Sequence, residues 1–139
     1  MKKYLLILVA LFAVSIITAS AQGYSCNDAR SCGDIRFVSK KPTKDVITGV
    51  SGTKYIYAIY KVRGGQSIGN AYVSLYDNGS IEVENDTKRK MKAGARGTRA
   101  DGSRAELRPA VLDPDGASVQ QAFKGGKFVK ATLVVEKLW

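Results

Sequence analysis

Few side chains in this sequence have the types and spacing to run a reaction. Glu82 and Glu84 stand two residues apart in IEVE. In an extended strand that places them about 7 Å apart, a separation that glycoside hydrolases use. Carboxylates at i and i+2 of one strand point the same way, however, whereas an acid and a base must flank the bond they cleave. A solvated strand face is therefore expected. Asp113-Pro114-Asp115-Gly116 has fragments of a calcium loop but lacks the later ligands and the closing glutamate, so it reads as a turn. Gly64-Gly65 and Gly125-Gly126 lack the Lys-Ser/Thr partner or the strand-to-helix context of a phosphate loop.

The chain has no histidine. That removes histidine-assisted serine and cysteine nucleophiles, and histidine-ligated zinc, iron or copper. Cys26 and Cys32, in CNDARSC, do not have C-x-x-C redox spacing, and two thiolates alone leave a zinc site half empty. In an oxidising compartment they read as a disulfide closing a short loop, contributing on the order of 2 kcal/mol. No enzymatic activity, cofactor or metal is expected.

What remains is charge. The sequence carries 22 basic against 12 acidic side chains, a net charge of +10. Residues 85–108 concentrate it, with eight basic and three acidic side chains. Lys88, Arg89, Lys90, Lys92, Arg96 and Arg99 are the candidate anion-binding residues, able to neutralise several phosphates or sulfates of one polymer. Lipid A phosphate, acidic polysaccharide and nucleic acid all qualify, although the segment has no aromatic residue to stack on a base. With three glycines and no sustained period, residues 85–106 read as a long basic loop.

The elements that must position these groups begin after a leader. Met1-Lys2-Lys3, the apolar run from Leu5 to Ile17 and Ala19-Ser20-Ala21 have the three parts of a secretory signal peptide, here residues 1–21. The apolar run is 13 residues, short of the roughly 20 that a spanning helix needs. The expectation is a cleaved, exported protein that does not span the membrane and lies in the periplasm, at the cell surface or outside the cell. Residues 22–34 form the disulfide loop and residues 35–139 a single β domain.

The strongest local signal is AYVSLYDNGSIEVE, from Ala71 to Glu84. A two-residue loop at Asn78-Gly79 would set Leu75 opposite Glu82 and mix core with charge. A three-residue loop sets Leu75 opposite Ile81 and Val73 opposite Val83, and collects Tyr72, Ser74, Tyr76, Ser80, Glu82 and Glu84 on the other face. A one-residue slip moves a whole strand face between core and solvent, so the second register is expected. Gly79 then takes the left-handed position of a type I turn closed by a bulge.

Residues 54–63, KYIYAIYKVR, are apolar on both faces, as in a central strand or one covered by a partner. Lys40-Lys41-Pro42 ends the strand before it, because proline cannot donate to a ladder. Residues 117–124 carry Val119, Ala122 and Phe123 at helical spacing behind a candidate cap at Asp115, which predicts one short helix. Residues 127–139 close the chain as a strand. About seven short strands and little helix predict an all-β fold, a small β-sandwich or partly open antiparallel barrel.

Two functions are consistent with such a chain. One is a binding or structural module that meets another envelope or extracellular protein, or a second copy of itself, through its sheet, with Tyr55, Tyr57, Tyr72 and Tyr76 as the candidate interface. The alternative is an anionic-polymer binder acting through the basic loop.

Overall fold

The computed structural model describes residues 24–26, 33–62 and 64–139. The leader 1–21 and Cys32, hence the expected disulfide, lie outside the described residues. Among the described residues nine strands run in chain order: β1 Tyr24–Cys26, β2 Asp34–Lys44, β3 Ser51–Tyr60, β4 Ser67–Tyr76, β5 Ser80–Thr87, β6 Met91–Thr98, β7 Arg104–Leu112, β8 Ala117–Ala122 and β9 Lys130–Leu138. They form a five-stranded sheet, β2-β3-β4-β5-β8, and a four-stranded sheet, β1-β9-β6-β7. All pairings are antiparallel except that of β1 with β9. The chain is an all-β protein consistent with a small β-sandwich.

Alternation builds the core. Tyr55, Tyr57 and Ile59 of β3, Ala71, Val73 and Leu75 of β4, and Ile81 and Val83 of β5 turn inward from one sheet. Met91, Ala93 and Ala95 of β6 and Ala131, Leu133 and Val135 of β9 meet them from the other. Burial pushes the Tyr57 hydroxyl's pKa far up, only partly offset by a backbone hydrogen bond at Leu133, which ties the two sheets together.

The central hairpin has the register that burial demands, with Leu75 opposite Ile81 and Val73 opposite Val83. Gly79 has φ 88° and donates its N–H to the Tyr76 carbonyl at 3.0 Å. A Cβ there would also come within 2.6 Å of the Phe123 carbonyl oxygen, so both torsion and space require glycine.

Three expectations need correction. Residues 117–124 are not a helix: Ala117–Ala122 is β8, which pairs with β5 through Val83–Val119 and Ile81–Gln121. A helix this short is marginal by itself, whereas the free edge of β5 offers a row of backbone partners. Asp115 is not a helix cap but a turn residue with φ 65°. Residues 85–106 are not a long loop either. They hold the end of β5, all of β6 and the start of β7, and β6 is an inner strand between β9 and β7. Its alternation is carried by Met91, Ala93, Ala95 and Gly97, the last three small residues that admit bulkier side chains facing them. Finally, Pro42 does not end β2, which continues to Lys44. β2 is an edge strand, where a residue without an N–H is tolerated, and a bulge near Val38 resets its register.

Candidate anion-binding site

At the end of β5 the inward-facing positions turn from apolar to polar. Asn85 and Thr87 follow Val83 on the same face and are buried. The Asn85 side-chain amide donates to the carbonyls of Arg89 at 2.8 Å, Leu112 at 3.0 Å and Asp113 at 3.1 Å. Its Oδ1 accepts from the Thr87 N–H at 3.1 Å and hydroxyl at 2.7 Å. Thr87 Oγ1 also lies 2.9 Å from the Arg89 carbonyl, which shares the hydroxyl's single proton with Asn85 Oδ1, and it accepts the Arg89 N–H. A buried polar group is tolerated where its hydrogen bonds are made, and here both members are satisfied. The result is a rigid turn at residues 88–90, strapped to the β7–β8 turn.

That turn presents Lys88, Arg89 and Lys90, all exposed. The far end of the chain comes to meet it. The Trp139 N–H donates to the Lys90 carbonyl at 3.0 Å, and Arg89 Nη1 donates to the Trp139 carbonyl at 3.4 Å. The Lys90 ammonium stands 5.7 Å from the Trp139 ring centre and that of Lys137 stands 4.5 Å away. Lys61 Nζ donates to the Leu138 carbonyl at 3.3 Å. Two cations thus stand over the ring of Trp139, which is 39% exposed, and two more bind the main chain of residues 138 and 139. Among the described residues none of the four is in an ion pair with a side-chain carboxylate. Cation–π contacts hold ammonium groups near the ring without neutralising them.

The other sequence candidates go elsewhere. Lys92 and Arg96 project from the outer face of the four-stranded sheet, where Lys92 pairs with Glu136 at 2.9 Å and Arg96 with Glu106 at 3.3 Å. Arg96 and Glu106 help line a shallow depression of about 260 Å³ with Arg104 and Ala105, but the Glu106 carboxylate in its wall opposes an anion. Arg99 lies past the opposite end of β6, roughly 25 Å from the 88–90 turn at the rise of a strand. It packs over the Phe128 ring, 4.7 Å from its centre, and donates to the Lys124 carbonyl, bracing the β8–β9 loop. Lys88, Arg89 and Lys90 are therefore together, whereas Lys92, Arg96 and Arg99 are dispersed and engaged. Lys61, Lys137 and Trp139 belong with the first group. They are 27 to 51 residues away in sequence from Lys88, Arg89 and Lys90, so no local pattern signals them. The pairing of β9 with β6 brings Lys137 and Trp139 there, and Lys61, just past β3 of the other sheet, arrives by packing against the end of β9.

The tyrosines also need correction as an interface. Tyr55, Tyr57 and Tyr76 are buried, and Tyr72 alone is partly accessible. Tyr55 and Tyr57 belong to the core shared with the alanines of β6 and β9. Burial pushes the Tyr76 hydroxyl up to about 12, and it donates to Glu82 at 3.1 Å. Glu82 also accepts from Ser118, and Lys54 lies 5.0 Å from the Tyr72 ring centre. Glu84 is half-buried beside them, and burial holds its pKa above the usual carboxylate value. Both glutamates lie on the outer face of β5, aimed the same way, and neither flanks a cleft. Comparison of the chain with protein-family models, with characterised proteins and with solved structures finds no match.

Proposed function

We propose that this chain is a non-enzymatic, exported binding module that holds an anionic polymer at the end of the sandwich where Trp139 meets the 88–90 turn. One observation carries the reading: Lys90 and Lys137 stand over one exposed indole while Lys61 and Arg89 bind the main chain of Leu138 and Trp139 beside it, and no side-chain carboxylate among the described residues is paired to any of the four. Like charges crowded in this way oppose folding unless an anion joins them, and a rigid turn spares the ligand the cost of ordering it. Phosphate or sulfate groups spaced along a polymer suit such a cluster, and release of their counterions makes attachment weaken with salt.

The reading in which a protein partner meets the sheet has less support. Three of its four tyrosines are buried, and the exposed edge β2 carries Lys40, Lys41, Pro42 and a bulge, all of which discourage strand addition.

Chromatography on immobilised heparin and polyphosphate tests the proposal. A variant with Lys88→Gln, Arg89→Gln, Lys90→Gln and Lys137→Gln should elute at clearly lower salt than the parent. A Lys92→Gln, Arg96→Gln variant should elute much closer to it, because those cations are already paired. Equal elution of the first variant and the parent would reject the site.

A further inference from the structure

A second surface lies at the opposite end of the strands. The loop joining β2 to β3, residues 45–50, exposes Val46 at 98% and Ile47 at 94%. β-Branched aliphatic residues are poor choices for a solvated turn, where Gly, Asn, Asp, Pro and Ser dominate. Nor is this turn slack. Asp45 is buried, and its Oδ1 accepts the N–H groups of Ile47 at 2.8 Å and Thr48 at 3.2 Å. Its backbone closes the loop through the Val50 carbonyl and the Gly49 N–H, each at 2.8 Å. Gln120 of β8 donates to Asp45 Oδ2 at 3.0 Å, pinning the loop across the outer face of the five-stranded sheet. Two aliphatic side chains are thus held outward on a braced support whose inner polar groups are paired within the protein.

The charges around the tip are those of an anion-seeking surface. Lys40, Lys41 and Lys44 are exposed along the strand that leads into it, and Lys124 is exposed in the loop that begins just beyond β8. Among the described residues none of these four is in an ion pair. Asp45 is the carboxylate nearest the tip, and its oxygens are occupied by the loop itself and by Gln120. Asp77, in the neighbouring turn, is paired with Lys127 at 3.8 Å.

An aliphatic tip with exposed lysines on the strand that leads into it matches the boundary of an anionic bilayer: alkyl groups enter the acyl region while ammonium groups stay with the phosphates. With the N–H groups of Asp45, Ile47, Thr48, Gly49 and Val50 paired, the loop can approach that boundary with few N–H groups left to satisfy. We infer that the 45–50 loop is a membrane-docking tip, inserting Val46 and Ile47 into an anionic lipid surface while Lys40, Lys41, Lys44 and Lys124 contact the headgroups.

A single-tryptophan variant reads insertion directly: Ile47→Trp in a Trp139→Phe background, mixed with vesicles of phosphatidylcholine alone or with phosphatidylglycerol. Docking predicts a blue-shifted emission, quenched by lipids brominated on the acyl chain, in the phosphatidylglycerol vesicles. In the otherwise native chain, Val46→Ser with Ile47→Ser should weaken co-sedimentation with those vesicles roughly ten- to a hundredfold and leave thermal unfolding unchanged. Unshifted, unquenched emission would overturn the inference. So would vesicle binding that survives the serine substitutions but is lost on neutralising Lys88, Arg89, Lys90 and Lys137, since adsorption would then belong to the Trp139 end. A protein-only partner for the tip would give the same unshifted emission. The polyanion chromatography above does not involve the tip, so the two readings fail separately.

Discussion

Asn85 is the residue on which the candidate site depends most. It makes five hydrogen bonds while fully buried, and three of its acceptors are carbonyls of two different turns. Asn85→Leu keeps the volume but strands those carbonyls, and leaving buried polar groups unpaired costs more than the bonds themselves contribute. Urea unfolding should show a loss of about 3 kcal/mol, and retention on polyphosphate should weaken with it because the 88–90 turn loses its strap. A full-strength ligand site in a destabilised protein would separate the strap from the function. Asp45 offers a second test, with a sign set by its environment. Hydrogen bonds from Gln120 first, then from the N–H groups of Thr48 and Ile47, hold its carboxyl below the usual carboxylate value. A depressed folded value contributes stability above the unfolded pKa, near 3.9, and that contribution is lost as the pH falls through the folded value. Asp45→Asn should therefore lower the urea midpoint at neutral pH, with the gap to the parent closing below about pH 4. A gap independent of pH would mean that the charge does not hold the loop.

At the scale of elements, the central hairpin was fully legible, because Val73, Leu75, Ile81 and Val83 leave only one register that does not bury glutamate. β6 was not, although Met91, Ala93, Ala95 and Gly97 do alternate with Lys92, Gly94, Arg96 and Thr98. Alanine and glycine are weak markers of a buried face, and the lysines and arginines between them dominate the eye. β8 was misread because its helical spacing is real but local, and the deciding partner, β5, lies more than 30 residues away. Pro42 misled for a related reason: its meaning depends on whether the strand is an edge, which is a property of the sheet. The edge yields a prediction of its own. β2 is exposed along much of its length, and Lys40, Lys41 and Pro42 are what keep it from templating a second strand. Replacing them with Thr, Thr and Val should produce concentration-dependent association in sedimentation velocity, where the parent sediments independently of concentration. A variant as monodisperse as the parent would show that the bulge near Val38 is guard enough.

In the whole molecule, the two proposed binding surfaces lie at the two ends of one sandwich-like fold. Burial of Tyr55, Tyr57 and Tyr76 and the satisfied Asn85–Thr87 pair leave the sheets as support, and the distinctive surfaces are an indole flanked by cations at one end and an aliphatic tip at the other. Much of the candidate site could not be read locally, since Lys137 and Trp139 join the 88–90 turn through the pairing of β9 with β6, and Lys61 only through the contact of the other sheet with Leu138. The chain's single tryptophan lies within that site, so its intrinsic emission reports on the claim without any label. Titration with polyphosphate at several salt concentrations is the most direct measurement. A saturable change in Trp139 emission is predicted, with log affinity falling against log salt at a slope of roughly 3 if four cations are engaged. Emission that stays constant while anisotropy of a labelled polymer reports binding would place the polymer elsewhere and contradict the account.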